Sequence, residues 1–534
     1  MIKIKRALFS VSDKSGIEAL ARALHEHGCE IISTGGTKTV LEKAGIPVTE
    51  ISEVTGNPEA FGGRMKTISF QIESALLFDR EKDASEAEQL GIKAIDMVVC
   101  NLYPFERVKN QGVDFDTLIE NIDIGGPTMV RAAAKNFKYV AVLTDPQDYP
   151  DVVKELQEND GALSYETRFR LMRKAFNLTA DYDAMIATTM DETAGRLSVR
   201  LAFDQAKSLR YGENSHQQAF FLRQRHAPHS LHELEFLHGK ELSYNNIVDL
   251  YSALDAVKDF ENTACAIIKH NNPCGLCEGT DQREVFEMAW AGDPVSAFGS
   301  VIAFNEKVER KTVEFLHLDA ENKMQRKFVE VIAAPDFDED AVEYLQQHKN
   351  LRIVKFDPIR VAQEKEFKVL AGSLLLQTTD QKLLDKTEVV SKTARQLDER
   401  LLKFGLIAVR QLKSNAIAVV RKVNGNFQLL GMGCGQPNRV NSTRLALERS
   451  RENLKNEFTG SDAQLEQYIK EQMAQAVLVS DAFFPFPDNV EIAASYGIKT
   501  IVQPGGSIRD KSVIQKCDEL NLTMIFTGLR HFKH

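Results

Sequence analysis

The chain has 534 residues, 43% of them hydrophobic and 27% charged, with a formal net charge of -10; at roughly 150 residues per domain this predicts two to four domains with sizeable cores. No apolar run approaches the roughly 20 residues needed to cross a bilayer, the apolar stretch 7–9 behind Lys3, Lys5 and Arg6 is too short for a signal-peptide core, and the acidic balance argues against a nucleic-acid surface. Seven scattered cysteines fit reduced thiols and a cytoplasmic protein.

Residues 7–12 predict a first strand, and Ser15 then caps a helix whose Ile17, Leu20, Ala21 and Leu24 fall at helical spacing before Gly28 stops it. A second strand at 30–32 runs into Ser33-Thr34-Gly35-Gly36-Thr37, after which Val40, Leu41 and Ala44 predict another helix. This loop offers backbone N–H groups, hydroxyls and a helix N-terminus to a phosphate, while Ser10, Ser12 and Lys14 leave the neighbouring strand end. A second glycine loop, Gly62-Gly63-Arg64-Met65-Lys66-Thr67, carries two cations. The buried strand at 95–100 ends in Asn101-Leu102-Tyr103, and Asp123-Ile124-Gly125-Gly126 opens a helix containing Arg131 and Lys135. After a strand at 139–143, helical patterns run to about residue 190, and 191–195 predict the link that closes a first domain over 1–195.

The second domain, 196–534, begins with a polar stretch holding Arg210, Tyr211 and His216, followed by a loop at 242–246 that opens a helix. The short apolar run 264–268 predicts a buried strand that stops at Lys269-His270, with a turn in the residues through Gly275. A lysine beside a histidine suits a general base next to an oxyanion stabiliser. Later signals are Gly299 before the strand 301–304, Asn415 at a strand start, and a glycine-rich turn at 431–436 before Arg439. A strand at 476–480 leads to Asp481, Phe483 and Asp488, and the chain ends in Arg530-His531-Phe532. Strand then helix recurs twice, as in a duplicated α/β unit. Pro273-Cys274-Gly275-Leu276-Cys277 matches half of a zinc deaminase site, but no histidine is followed two residues later by Glu.

Taken together, Ser10-Val11-Ser12-Asp13-Lys14, Ser33-Thr34-Gly35-Gly36-Thr37, Asn101-Leu102-Tyr103 and Asp123-Ile124-Gly125-Gly126 resemble the inosine monophosphate (IMP) cyclohydrolase half of a bifunctional purine-biosynthesis family. Arg210-Tyr211-Gly212, Lys269-His270, Lys413-Ser414-Asn415, the 433–439 turn, Asp481-Ala482-Phe483-Phe484-Pro485 and Arg530-His531-Phe532 resemble its other half, aminoimidazole carboxamide ribonucleotide (AICAR) transformylase. The resemblance implies an N-terminal methylglyoxal-synthase-like parallel α/β domain followed by a transformylase domain of duplicated cytidine-deaminase-like units. It implies that Ser10, Ser12, Lys14, Ser33, Thr34, Gly35, Gly36 and Thr37 hold the nucleotide phosphate, that Lys66, Tyr103, Asp123 and Lys135 surround the ring-closing atoms, and that Arg64, Thr67 and Asn101 line the same site. For formyl transfer it implies His270 as general base, Lys269 as oxyanion or leaving-group partner and Asn415 as orienter of the formyl group. Arg210, Tyr211, His216, Gly299, Phe483, Asp488 and Arg530 then bind AICAR or the folate cosubstrate, 10-formyltetrahydrofolate. A homodimer is implied, with no nucleic acid, membrane or catalytic metal, and with a monovalent cation admitted. Where the family usually has a leucine, a His-Pro pair and a further histidine after Thr67, this chain has Ile68-Ser69-Phe70-Gln71-Ile72-Glu73-Ser74-Ala75, so the alternative reading is a transformylase with a weakened cyclohydrolase half.

Overall fold

The computed structural model describes residues 1–534 other than Gly63, which leaves that one member of the second glycine loop outside the described residues. The chain forms two compact units, Met1–Ala202 and Phe203–His534.

The first unit is built on five parallel strands, β1 (Arg6–Val11), β2 (Glu30–Ser33), β3 (Thr49–Glu50), β4 (Met97–Asn101) and β5 (Ala141–Leu143), in the order β3-β2-β1-β4-β5. Its central strands are apolar on both faces because both faces are covered. Leu8, Ile32, Val98 and Val142 enter one core, while Phe9, Ile31, Val99 and Leu143 enter the other. Helix α1 (Ile17–Glu26) buries Ile17, Leu20, Ala21 and Leu24 as its spacing predicts, but its N-cap is Gly16 in the left-handed region. Ser15, the expected cap, instead donates its hydroxyl to Asp13 at 2.6 Å. Helices α2 (Gly35–Lys43) and α3 (Gly125–Lys135) start at the carboxyl ends of β2 and near β4. Helix α4 (Tyr165–Thr193) runs for 29 residues and takes in the first three residues of the expected link. The Ile68 to Ala75 stretch forms a helix, Phe70–Leu77, whose cap is Ser69: its hydroxyl accepts the Ile72 N–H at 3.1 Å. Ile72, Ala75 and Leu76 from this helix are buried.

The second unit contains a mixed 12-stranded sheet. Its first half comprises β6 (Glu235–His238), β7 (Thr263–Lys269), β8 (Asn272–Gly279), β9 (Ser300–Phe304), β10 (Val329–Ala334) and β11 (Arg352–Lys355); its second half comprises β12 (Glu388–Val389), β13 (Ile417–Val423), β14 (Asn426–Gly433), β15 (Val477–Ser480), β16 (Thr500–Gln503) and β17 (Thr523–Phe526). The order is β6-β11-β10-β9-β7-β8-β14-β13-β15-β16-β17-β12, which reads the same from either edge inward. Each half has an antiparallel hairpin (β7–β8, β13–β14), an antiparallel third strand, two further parallel strands and an antiparallel edge. The halves join where Cys277 pairs with Gln428 and Glu278 with Phe427. This is the duplicated unit the sequence predicts. Helices α5 (Tyr244–Val257) and α7 (Glu399–Arg410) share one face of the sheet, whereas α6 (Gln282–Ala291) and α8 (Arg439–Glu457) cover the other face of the first and second halves.

One expectation changes here. The stretch through Gly275, expected as a turn, is the strand β8, and β7 lies in the sheet interior between antiparallel neighbours, ending in a hairpin. Pro273 is tolerated because the register shifts between Ile267 and Ile268, where a bulge frees the chain from regular pairing. Cys274 and Cys277 pack in a hydrophobic core, and burial pushes the Cys274 thiol up to about 12.

Glycines in the second strand of each hairpin let the next helix approach closely. A Cβ on Gly275 would collide with the Ala289 carbonyl of α6, and one on Gly431 would meet the Ser450 hydroxyl and Ala446 carbonyl of α8. Gly275→Ala and Gly431→Ala are each expected to destabilise the second unit by about 1–3 kcal/mol, read as a lower denaturant midpoint while the first unit's transition stays in place.

Candidate active sites

In the first unit the ends of β1, β2 and β4 lie together, as parallel pairing requires. Asn101 fixes the turn after β1: its Oδ1 accepts the Ser12 and Asp13 N–H groups at 2.6 and 2.7 Å, and its Nδ2 donates to the Asp13 carbonyl at 2.9 Å. The Ser33 hydroxyl donates to Phe9 O at 2.8 Å and that of Thr37 to Val11 O at 3.2 Å, so these two side chains tie the loop to β1. Thr34 is the extended N-cap of α2, followed by Gly35 with φ 52°. A methyl group on Gly36 would lie 3.4 Å from Lys14 Cε, and one on Gly35 would lie 3.9 Å from Lys66 Nζ. Two lysines therefore close over the N-terminus of α2, where backbone N–H groups and the helix dipole already favour an anion. Lys14 Nζ also donates to Ser12 O at 3.3 Å, while Ser10, the penultimate residue of β1, is half-buried.

A second group of residues adjoins this cradle. Asp123 accepts the Gly126 N–H at 2.8 Å and the Tyr103 N–H at 3.3 Å, while its own N–H donates to the Tyr182 hydroxyl at 2.8 Å. Burial raises the Asp123 carboxyl above its ordinary value against those two hydrogen bonds. Gly126 has no room for a side chain, since a Cβ would meet Asp123 Oδ2 at 2.5 Å, and a Cβ on Gly125 would lie 2.8 Å from the Thr67 hydroxyl. The Tyr103 ring is exposed. Lys66 pairs with Glu59 at 2.9 Å, and Arg64 is held on exposed Glu120 by two contacts of 3.0 Å. Lys135 is exposed in the last turn of α3, ten residues beyond Gly125, a helical rise of roughly 15 Å. One chain therefore does not bring Lys135 to Asp123.

In the second unit, Lys269 and His270 stand at the β7–β8 hairpin. Lys269 Nζ donates to Phe298 O at 2.7 Å, next to Gly299 with φ 73°. His270 is exposed, with φ 54°. Just across the hairpin the Cys434 thiol contacts Asn272 Oδ1 at 3.1 Å, which joins this turn to the loop carrying Gln436. Asn415 Nδ2 donates to Gln436 O at 2.9 Å and Pro437 O at 3.2 Å, while its Oδ1 accepts from Arg439 at 2.7 Å, so its amide orientation is fixed. The chain terminus reaches the same place: Ser414 N–H donates to Lys533 O at 2.9 Å, and buried His531 is held by Asp380 at 2.7 Å and Leu383 O at 2.8 Å. Arg530 lies 4.5 Å over the Phe532 ring. Arg210 stacks 4.7 Å over Tyr211 and donates to its hydroxyl at 2.8 Å. His216 is exposed in the loop after them, which is tied to the start of α5 through Asn245 Nδ2 and Glu213 O at 3.3 Å. Phe483 is partly exposed just after Asp481, and Asp488 begins a helix, Asp488–Ser495, accepting the Asn489 N–H at 2.8 Å.

Sequence reasoning did not assign a role to Arg439 and Asp481. Both are buried and paired, Arg439 also donates to Ser480 Oγ at 2.9 Å, and Asp481 accepts from the Ser414 hydroxyl at 2.5 Å. An arginine on an otherwise solvated helix pattern gives no sign that it turns inward.

Comparison with known proteins accords with both units. A family model described as "AICARFT/IMPCHase bienzyme" matches residues 133–449, and one described as "MGS-like domain" matches residues 16–128. "Bifunctional purine biosynthesis protein PurH" of Clostridium botulinum (strain Okra / Type B1) is 44% identical over 534 residues, covering 99% of this chain and 100% of that one. The protein of the same name from Persephonella marina (strain DSM 14350 / EX-H1) is 43% identical over 547 residues, with 99% and 100% covered. A solved structure, "Crystal structure of ForH", shares 38% identity over 34% of this chain and 97% of its own, with a TM-score of 0.31. With relatives this similar along their full length, and a family model spanning more than half of its residues, the chain belongs to the AICARFT/IMPCHase bienzyme family: it is a bifunctional purine-biosynthesis enzyme, an AICAR formyltransferase and an IMP cyclohydrolase.

Proposed function

We propose that the Phe203–His534 unit transfers the formyl group of 10-formyltetrahydrofolate to AICAR, and that the Met1–Ala202 unit closes the formyl-AICAR so formed to IMP. The observation that carries this division is the joining of Lys269-His270 to the Asn415 loop through Asn272 and Cys434, wholly within the second unit. An aromatic amine ortho to a carboxamide is a poor nucleophile, so its attack on the formyl carbon requires proton removal as the bond forms. His270 takes that proton. Lys269 stabilises the tetrahedral oxyanion and gives a proton to the departing folate nitrogen, while Asn415 orients the formyl group. Arg210, Tyr211 and Arg530 hold the nucleotide with His216 and Gly299, and Phe483 and Asp488 face the folate.

For ring closure, the carboxamide nitrogen attacks the formyl carbon and water departs. Lys14 and the N–H groups at Gly35 and Gly36 hold the phosphate, with Ser10, Ser12, Ser33, Thr34 and Thr37 shaping the cradle. Lys66 and Tyr103 stabilise the developing oxyanion. Asp123, whose carboxyl keeps its proton to a higher pH than usual, protonates the leaving oxygen. Arg64, Thr67 and Asn101 line the site, and Lys135 remains outside the cluster of its own chain. The Ser69-capped helix keeps the scaffold beneath the loop that carries Lys66, which favours working ring closure over the weakened alternative. The family relationship further supports a cytoplasmic homodimer; no helix among the described residues is long and apolar enough to cross a membrane.

Incubation with AICAR and 10-formyltetrahydrofolate is expected to yield IMP without a lasting formyl-AICAR pool; accumulation of formyl-AICAR would instead support the weakened half. His270→Ala should lower formyl transfer at least about 100-fold and leave closure of supplied formyl-AICAR intact, and loss of both would refute the division of labour. Because the folded-state value of Asp123 is raised, its stabilising contribution is fully present below the unfolded value and is lost as pH rises through the folded one. Asp123→Asn should therefore gain melting temperature relative to the wild type as pH rises above the ordinary carboxylate range.

A further inference from the structure

The β7–β8 and β13–β14 hairpins occupy equivalent places in the two halves of the sheet, and each reverses in two residues: Lys269 pairs with Asn272, and Val423 with Asn426. Both reversals are left-handed at both positions, with φ 54° and 60° at His270 and Asn271, and 51° and 86° at Asn424 and Gly425. Asn-Gly is the pair that such a turn favours, because glycine adopts this conformation freely and asparagine tolerates it. His-Asn is not. The first hairpin therefore lacks the glycine that makes the second one relaxed, and contacts from outside the turn can help to hold it.

That partner is on α5. The Asp249 carboxylate spans the turn, accepting the Asn271 N–H on Oδ1 at 2.7 Å and the His270 N–H on Oδ2 at 3.3 Å. One helical turn further along, on the same face, Ser252 donates its hydroxyl to Asn271 Oδ1 at 3.0 Å. Asn272 Nδ2 closes the far side by donating to the His270 carbonyl at 2.9 Å. We infer that Asp249 is a positioning residue for formyl transfer: its carboxylate clamps both amides of the left-handed turn and so fixes where the His270 imidazole stands. This rests on His270 being the general base. Asp249 itself need touch neither AICAR nor folate, and its effect belongs in kcat rather than in substrate affinity.

The test uses the full-length enzyme, with kcat and KM for formyl transfer measured on Asp249→Ala, Asp249→Asn, the double variant Asp249→Ala with Asn271→Gly, and His270→Ala. Asp249→Ala should lower kcat by roughly 10- to 100-fold with KM for AICAR little changed, and Asp249→Asn, which keeps one acceptor, should fall between it and the wild type. Adding Asn271→Gly should recover a large part of the lost kcat, because the turn then needs less help. Unchanged kcat in Asp249→Ala, a raised KM with kcat kept, or failure of the glycine to recover activity would each overturn the inference. Should Asp249→Ala not fold, Asp249→Asn gives the same reading. Formyl transfer surviving in His270→Ala would instead show that the base is misassigned, whatever the Asp249 variants do.

Discussion

A two-residue antiparallel hairpin of type I′ keeps the right-handed twist of its strands by putting both residues in left-handed backbone. In the second unit that demand falls on His270 and Asn271. β7 is paired with β8 from Thr263 to Lys269 and with β9 from Cys265 to Ile268, so two ladders lead up to the point at which Lys269 ends and His270 begins. The lysine is delivered to the Phe298 carbonyl because the register is set, and the histidine stands clear of the sheet because the turn is left-handed. The neighbouring loops then need only reach this point, as the Cys434 loop does through Asn272.

The first unit is organised differently. Its strands are parallel, their carboxyl ends open into loops, and the groups gathered there are backbone N–H groups, a helix N-terminus and two lysines rather than a side chain held on a tight turn. Precision comes from polar side chains that look inward. Ser33, Thr37 and Asn101 spend their hydrogen bonds on the chain itself and so hold the loop to β1. The same economy holds Asn415 on the other unit, where buried Arg439 and Asp481 brace the amide from behind.

Much of this was legible in the residues. The strands of both units announce themselves as short apolar runs, and the βαβα start, the two glycine loops and the recurrence of strand and helix in the second unit all follow from pattern. What pattern hid has physical reasons. Pro273 and Gly275 carry the marks of a turn, yet a bulge lets one sit in a strand and the close passage of α6 demands the other. Ser15 looked like a cap because its hydroxyl suits that role, but the backbone turns at Gly16. The candidate site residues could be named singly, whereas the groups that orient them, Asp249, Arg439 and Asp481, lie on helix faces or strand ends where their polarity reads as ordinary solvation. Lys135 is the converse, since helical rise alone sets it far from Asp123.

The near-mirror order of the 12 strands means that the sheet contains the same hairpin twice, once bearing His270 and once bearing Asn424-Gly425. Duplication has thus relieved one copy of a conflict that a single copy would have to resolve alone. The second hairpin can take the most relaxed sequence available to it and serve as a rigid half of the sheet, leaving the first free to carry a histidine at its tip. The symmetry of the backbone is what permits the asymmetry of the side chains.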